Sequence, residues 1–199
     1  MNSKEHILRT AFKLFLQKNY KEVTLRDIVR ETGLSKGGFY HYFSSKEQLF
    51  MEVINTYYFE KMQIDYSKLS HNSLRDFYHD YVKEVKRTMI TLKKELFKSN
   101  TPVNINYITI LFDAMKLFPD FQNKIKKALR EELNEWINIV KSARRKKEFS
   151  SPMTDEQIAR MFIYSNDGIA LRLLLEGNLK NIDKEMLKLW NNFYKEVKD

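Results

Sequence analysis

Between Thr24 and Phe50 the chain reads TLRDIVRETGLSKGGFYHYFSSKEQLF, and its polar side chains are of the kinds that grip a polyanion. Thr24 and Ser35 stand where helices start, so each sets free backbone N–H groups where a phosphate can bind. Tyr40 and Tyr42 carry phenols that can donate to phosphate oxygens. Lys36 can donate to guanine O6 and N7, and His41 lies in the same short segment. Gly37 and Gly38 let a backbone come close to a base edge. Each glycine costs roughly 1 kcal/mol inside a helix, so a segment that only packed would not need two. Phe39 and Phe43 fall four apart on one face and are expected to be core. Lys36, Gly37, Gly38 and His41 are thus the candidate base readers, with Thr24, Ser35, Tyr40 and Tyr42 on the phosphates.

Something must hold these groups in register, and the local signals are dense. Ser3 caps a first helix with Leu8, Ala11, Phe12 and Phe15 at helical spacing. Asn19 sits at a chain reversal, where Asn tolerates the left-handed conformation. Thr24 with Asp27 forms a short capping box, and Val23 with Ile28 a hydrophobic staple. Gly33 ends that helix, and Ser35 starts another after only Leu34. A second staple pairs Leu34 with Phe39. Ser45, with Gln48 in the capping-box position, opens a fourth helix. Two short helices across a tight Gly-containing turn make a helix-turn-helix, whose second helix fits the major groove.

Over residues 5–50 the chain resembles the TetR family of bacterial transcriptional regulators. The resemblance rests on Thr24, the Gly33 turn, Ser35-Lys36-Gly37, Tyr40-His41-Tyr42-Phe43 and Ser45-Lys46-Glu47. It implies that Lys46 contacts the DNA backbone. It also implies a homodimer on a double-stranded DNA operator, released when a small-molecule effector binds the C-terminal helices. Asn19 replaces a glycine usual in the family, and Gly38 replaces a residue that often has a side chain.

Composition agrees with this class. Among 199 residues there are 5 glycines and 3 prolines, too few for the turns of a β-rich fold, so the chain is expected to be all-α. With no cysteine, disulfides, thiolate catalysis and Cys-based zinc sites are excluded. The N-terminal residues lack the apolar core of a signal peptide, and no run is long enough to span a membrane. A cytoplasmic protein without a membrane partner is expected. The net charge of +9 suits nucleic acid, an anionic surface or plain solubility. Residues 1–50 hold nine basic against five acidic side chains, a net +4. Almost half the excess therefore lies in a quarter of the chain.

About nine helices are expected: a helix-turn-helix domain over 1–47 and a helical regulatory and dimerisation domain over 48–199. Helices are read at about 73–97, 105–118, 121–147, 154–177 and 183–197, with Pro102 and the Asn-rich stretch 100–106 as a break. Aromatic and methionine material for an effector pocket is supplied by Tyr78, Tyr81, Met89, Tyr107, Phe112 and Trp136. The segment 158–175 is apolar on two faces, which calls for cover on both sides. Ile163, Gly168, Ala170 and Leu174, with Trp190 and Phe193 of the last helix, are the candidate dimer contacts. Gly168 reads as close backbone approach or as a kink. The run Arg144 to Lys147 reads as a solvated helix end. No enzyme, cofactor or metal is expected. His71, Asp76, His79 and Asp80 lack the spacing of helical metal ligands, and no phosphate loop or nucleophile elbow is present. A constitutive or protein-regulated DNA binder of the same fold is the alternative; a membrane-surface protein would not need the turn chemistry of 24–46.

Overall fold

The caps decide where the chain turns. Thr24 accepts the Asp27 N–H, and the Asp27 carboxylate returns to the Thr24 N–H, a complete capping box. Gly33 ends the same helix at φ +68°, the left-handed conformation open to glycine at little cost. Ser35 accepts from the Gly38 N–H, and Ser45 from the Gln48 N–H. The Gln48 side chain reaches the Ser44 N–H instead of that of Ser45, so this capping box closes one residue early. Asn19 takes φ +78° at the first reversal and ties its side chain to Glu22.

The computed structural model describes residues 3–96, 106–177 and 179–198, and every regular element there is helical. In chain order these are α1 (Ser3–Lys18), α2 (Leu25–Thr32), α3 (Lys36–Tyr40), α4 (Lys46–Ile54), α5 (Leu74–Leu96), α6 (Asn106–Leu117), α7 (Pro119–Arg145), α8 (Asp155–Leu175) and α9 (Ile182–Lys198). A π-helical turn, Asn55–Glu60, extends α4, and 3-10 turns cover Tyr66–Lys68 and Leu179–Asn181. The expected break at Pro102 lies outside the described residues. α7 begins at Pro119 itself, since proline suits a first helical position where no N–H partner is needed.

The chain divides into two compact units. The first comprises residues 1–63 and 88–121. Its core sets Phe12 and Phe15 of α1 against Phe50 of α4 and Tyr57 of the π-turn, with Ile110 and Ala114 of α6 also buried. Phe12 stacks on Tyr57 at 4.2 Å, and Phe50 lies within 5.0 Å of Phe15 and 4.4 Å of Tyr20. Phe39 and Phe43 are buried as expected.

The second unit comprises residues 64–87 and 122–199. An aromatic cluster fills it: Phe77, Tyr78 and Tyr81 of α5, Trp136 of α7, Phe162 of α8 and Trp190 of α9. Trp136 stacks on Phe162 at 5.1 Å and meets Trp190 edge-on at 5.4 Å. Truncating rings of this size in a closed core typically costs about 3–5 kcal/mol each.

The end of α7 is solvated as expected at Arg145, Lys146 and Lys147, but Arg144 and Lys146 also hold partners, which corrects the expectation of a merely solvated end. Arg144 donates from Nε to Asp155 (2.6 Å), from Nη1 to the Ser151 carbonyl (2.9 Å) and from Nη2 to the Met153 carbonyl (2.6 Å). Lys146 donates to the carbonyls of His71 and Asn72. Glu148 accepts the Leu74 and Arg75 N–H groups at the start of α5 and the Tyr194 hydroxyl. One short run thus fastens α5, α7, α8 and α9.

Candidate nucleic-acid interface

α3 is only five residues long, shorter than the 36–42 segment read from sequence. The turn continues more loosely, with the His41, Tyr42 and Phe43 N–H groups bonding to Gly37 and Phe39 carbonyls. Phe39 anchors this segment inward. Lys36, Gly37, Tyr40 and His41 are exposed, while Gly38 and Tyr42 are half-buried. Tyr40 keeps 46 % of its surface open. Among the described residues no side-chain hydrogen bond holds Lys36, Tyr40, His41 or Tyr42. Their polar atoms are therefore available to something outside the chain.

The two glycines differ. A Cβ on Gly37 would meet nothing closer than Ser35 Oγ at 4.0 Å, so the fold gives no reason for its absence. A Cβ on Gly38 would come within 3.3 Å of the same Oγ, which is the cap of α3. Gly38 is partly a capping requirement, whereas Gly37 keeps a clear surface.

Thr24 is exposed, but its hydroxyl is already engaged, donating to Asp27 Oδ2 at 2.7 Å while accepting the Asp27 N–H. The Thr24 bonds, aided by Lys18 and Arg30, hold the Asp27 carboxyl below its usual range. The start of α2 therefore carries a protein anion of its own. Of the backbone N–H groups expected to meet a phosphate there, those of Thr24 and Asp27 are taken up by the capping box itself. Ser35 likewise spends its oxygen on the Gly38 N–H.

Lys46 has internal partners that its place in the sequence does not reveal. Its Nζ donates to the carbonyls of Tyr20 and Val23, both at 2.8 Å, and lies 4.1 Å above the Tyr20 ring. The Tyr20 hydroxyl donates to Glu47 at 2.9 Å. Burial pulls the Lys46 ammonium below the ordinary lysine value, and Glu47 pulls it partly back. Two of three ammonium protons bind the α1–α2 turn to the start of α4, so a phosphate can take only the third. Tyr20 and Glu47, absent from the sequence-based site, complete this fastening. Lys46→Ala is expected to cost about 1–2 kcal/mol of stability. It should also lower the salt slope of DNA binding by about one unit. Urea unfolding beside salt-titrated binding separates the two effects. An unchanged stability would make the carbonyl contacts idle, and an unchanged slope would remove Lys46 from the phosphate contacts.

The candidate pocket residues are distributed over the two units. Tyr78, Tyr81 and Trp136 are packed in the core of the second unit. Met89, Tyr107 and Phe112 belong to the first unit, where Tyr107 donates to Met62 and Phe112 is 55 % exposed. The candidate dimer residues are divided between covered and uncovered positions of one copy. Ile163, Leu174 and Trp190 are buried within the chain, and the Trp190 N–H donates to Ser165. Ala170 and Phe193 are half-buried, and Gly168 is exposed. The large apolar side chains that α8 leaves exposed are Met161, Tyr164, Leu171 and Leu175, with Leu189 on α9.

The histidine-carboxylate group is otherwise engaged. His79 Nε2 lies 3.2 Å from Asn191 Oδ1, and Asp80 accepts from the Ser70 N–H and from Lys83. Among the described residues no group of His, Asp and Glu is arranged to hold a metal ion. None of their helices is long and apolar enough to cross a membrane.

Fold and exposed site together define an all-α DNA-binding protein of the helix-turn-helix class. Residues 7–53 match the family described as bacterial regulatory proteins, tetR family. The Bacillus subtilis HTH-type regulator YuxN is 48 % identical over 59 residues, which are 29 % of this chain and 20 % of YuxN. The chain thus matches only about a fifth of that relative's length. A second B. subtilis HTH-type regulator, YfiR, is 25 % identical over 163 residues, 82 % of this chain and 76 % of YfiR. The crystal structure of a TetR-family transcriptional regulator from Agrobacterium tumefaciens superposes with a TM-score of 0.69. It covers 99 % of this chain and 98 % of its own at 14 % identity, a likeness of fold. Residues 7–53 thus carry the DNA-binding region of the tetR family of bacterial regulatory proteins, and the rest of the chain shares the helical fold of its solved members.

Proposed function

We propose that the protein acts as a homodimer that represses transcription from a palindromic DNA operator and releases it when a small molecule binds the helical C-terminal part. In this reading residues 1–47 are the DNA-binding domain and residues 48–199 the regulatory and dimerisation domain. The observation that carries it is the exposed row Lys36, Gly37, Tyr40 and His41, whose side chains make no internal hydrogen bond among the described residues, on a segment fixed by flanking caps. Lys36 and His41 read base edges, Gly37 admits the backbone, and Tyr40 and Tyr42 hold phosphates.

The second copy is argued from α8. Met161, Tyr164, Gly168, Leu171 and Leu175 recur every three or four residues along its uncovered side. A Cβ at Gly168 would meet nothing within 4 Å inside the chain, so packing within one copy does not ask for glycine there. A partner helix brought close would.

DNase I footprinting upstream of the protein's own gene is expected to protect an inverted repeat. Its half-site centres should lie about one helical turn (roughly 34–36 Å) apart, or a little more. Sedimentation is expected to give a dimer. Protection of a lone half-site by a monomer, or no protection, overturns the reading.

A further inference from the structure

Along α7 one row of side chains faces solvent with nothing in the chain to answer it. Lys126, Arg130, Asn134, Asn138, Lys141 and Arg145 follow one another at steps of three or four residues, so they share one face of the helix. All six are exposed, while Trp136, Ile139, Val140 and Ala143 bury the opposite side. Among the described residues none of the six makes an ion pair or a side-chain hydrogen bond. Glu131, the exposed acid of this stretch, stands at the edge of the row and is turned to Lys127 at 3.8 Å. Cations elsewhere in the second unit are answered by acids, as Lys83 is by Asp80, Lys86 by Asp183 and Arg172 by Glu176.

Helix stability does not explain this pattern. Lys126 with Arg130, and Lys141 with Arg145, are like charges four residues apart, which repel across one helical turn. Asparagine weakens a helix interior, because its side chain competes for backbone bonds. A face selected only for solubility would mix acids with the bases. The row instead reads cation pair, asparagine pair, cation pair. With a rise of about 1.5 Å per residue, the two cation pairs stand about 22 Å apart, centre to centre. Arg130 and Lys141, the inner cations, are about 16 Å apart along the axis. That interval exceeds the roughly 12 Å width of the DNA major groove, so a phosphate strand can meet each pair. The far end of α7 is fastened through Arg144 and Lys146, which holds the row in place before anything binds.

The chemistry of the row selects among polyanions. A single strand calls for aromatic side chains on which its bases stack, and the row has none. A lipid surface calls for apolar side chains to insert, and the exposed Leu129 lies about 100° round the helix from Arg130. Asparagine between cations suits a duplex, where it can bond to base edges or sugars while the cations take phosphates. We propose that this row is a second duplex-DNA contact, in which Lys126–Arg130 and Lys141–Arg145 hold the two phosphate backbones and Asn134 and Asn138 face the groove between them. It goes beyond the operator reading and does not rest on it. With α3 and the row both occupied, one chain holds DNA at two places.

The test uses the full-length protein and a fluorescent duplex of unrelated sequence, about two helical turns long. A Lys36→Gln, Tyr40→Ala background weakens α3, so that binding reports on the rest of the chain. That background alone tests the operator reading, and the two readings therefore fail separately. Adding Lys126→Gln, Arg130→Gln, Lys141→Gln and Arg145→Gln is expected to lower affinity roughly tenfold or more and to remove about three units of salt slope. The melting temperature should not fall, since none of the four has an internal partner. A control removes the same charge at scattered exposed positions, with Lys93→Gln, Lys94→Gln, Lys116→Gln and Lys188→Gln, and should change the slope by less than about one unit. In the unmutated protein the same duplex should shield Lys126 and Lys141 from amine acetylation, read by mass spectrometry, and leave Lys188 open. Equal losses in the row and control sets would reduce the effect to net charge and overturn the proposal. So would unshielded Lys126 and Lys141, or row-dependent capture by phosphatidylglycerol vesicles in place of DNA.

Discussion

Tyr40→Ala is expected to dimerise and melt like the wild-type protein and yet to lose its operator. Tyr40 is 46 % exposed, touches Phe39 only ring-edge to ring-face, and makes no hydrogen bond among the described residues. Its removal should therefore leave no internal group unpaired. On DNA the phenol would donate to a phosphate, and a hydrogen bond to a charged group contributes about 1.5–3 kcal/mol. A symmetric dimer loses it twice, so affinity should fall between roughly a hundredfold and ten-thousandfold. Fluorescence anisotropy on the footprinted operator measures the loss, with thermal melting and sedimentation as controls. Tyr40→Phe divides the ring from its proton: a loss close to that of alanine assigns the effect to the hydroxyl. Wild-type affinity in Tyr40→Ala would mean that α3 meets DNA through another face.

Arg144→Ala is expected to be the most damaging single polar substitution in the second unit. Its guanidinium holds a carboxylate and two carbonyls at 2.6–2.9 Å and lies 5.2 Å over the Phe149 ring. Truncation leaves Asp155 without its cation at the start of α8 and frees the Ser151–Met153 loop. The side chain is one-third exposed, so water recovers part of the loss. A net cost of about 2–3 kcal/mol is expected in urea unfolding. Arg144→Lys should recover less than half, because an ammonium cannot fork in a plane to three acceptors. A loss below about 0.5 kcal/mol would put Arg144 among ordinary surface ion pairs.

How much of this was legible in the sequence depends on how far each residue's partners lie. Thr24, Gly33, Ser35 and Thr154 find their partners within three or four residues, so their roles could be read from spacing alone. Lys46 could not be read that way. Its partners are carbonyls more than twenty residues earlier, and only the fold brings them together. Helix α8 could be read as buried but not in phase. An apolar pattern all round a helix says that much is buried without saying which stripe the chain covers first. Ile163 and Leu174 were taken inside, and Met161, Tyr164, Leu171 and Leu175 were left outside. The π-helical turn at Asn55–Glu60 carries no local signal, as its ring contacts with α1 come from tertiary packing.

The Tyr20–Lys46–Glu47 fastening has a kinematic consequence. It bridges the α1–α2 turn and the first turn of α4 and so bypasses the link Tyr42–Ser45 between α3 and α4. A torque on α4 is therefore delivered to α1 and α2, and through their caps to α3, without being absorbed by slack in that link. Under the proposed function, control of such a head would act through the angle at which it is presented to DNA, and not through its melting.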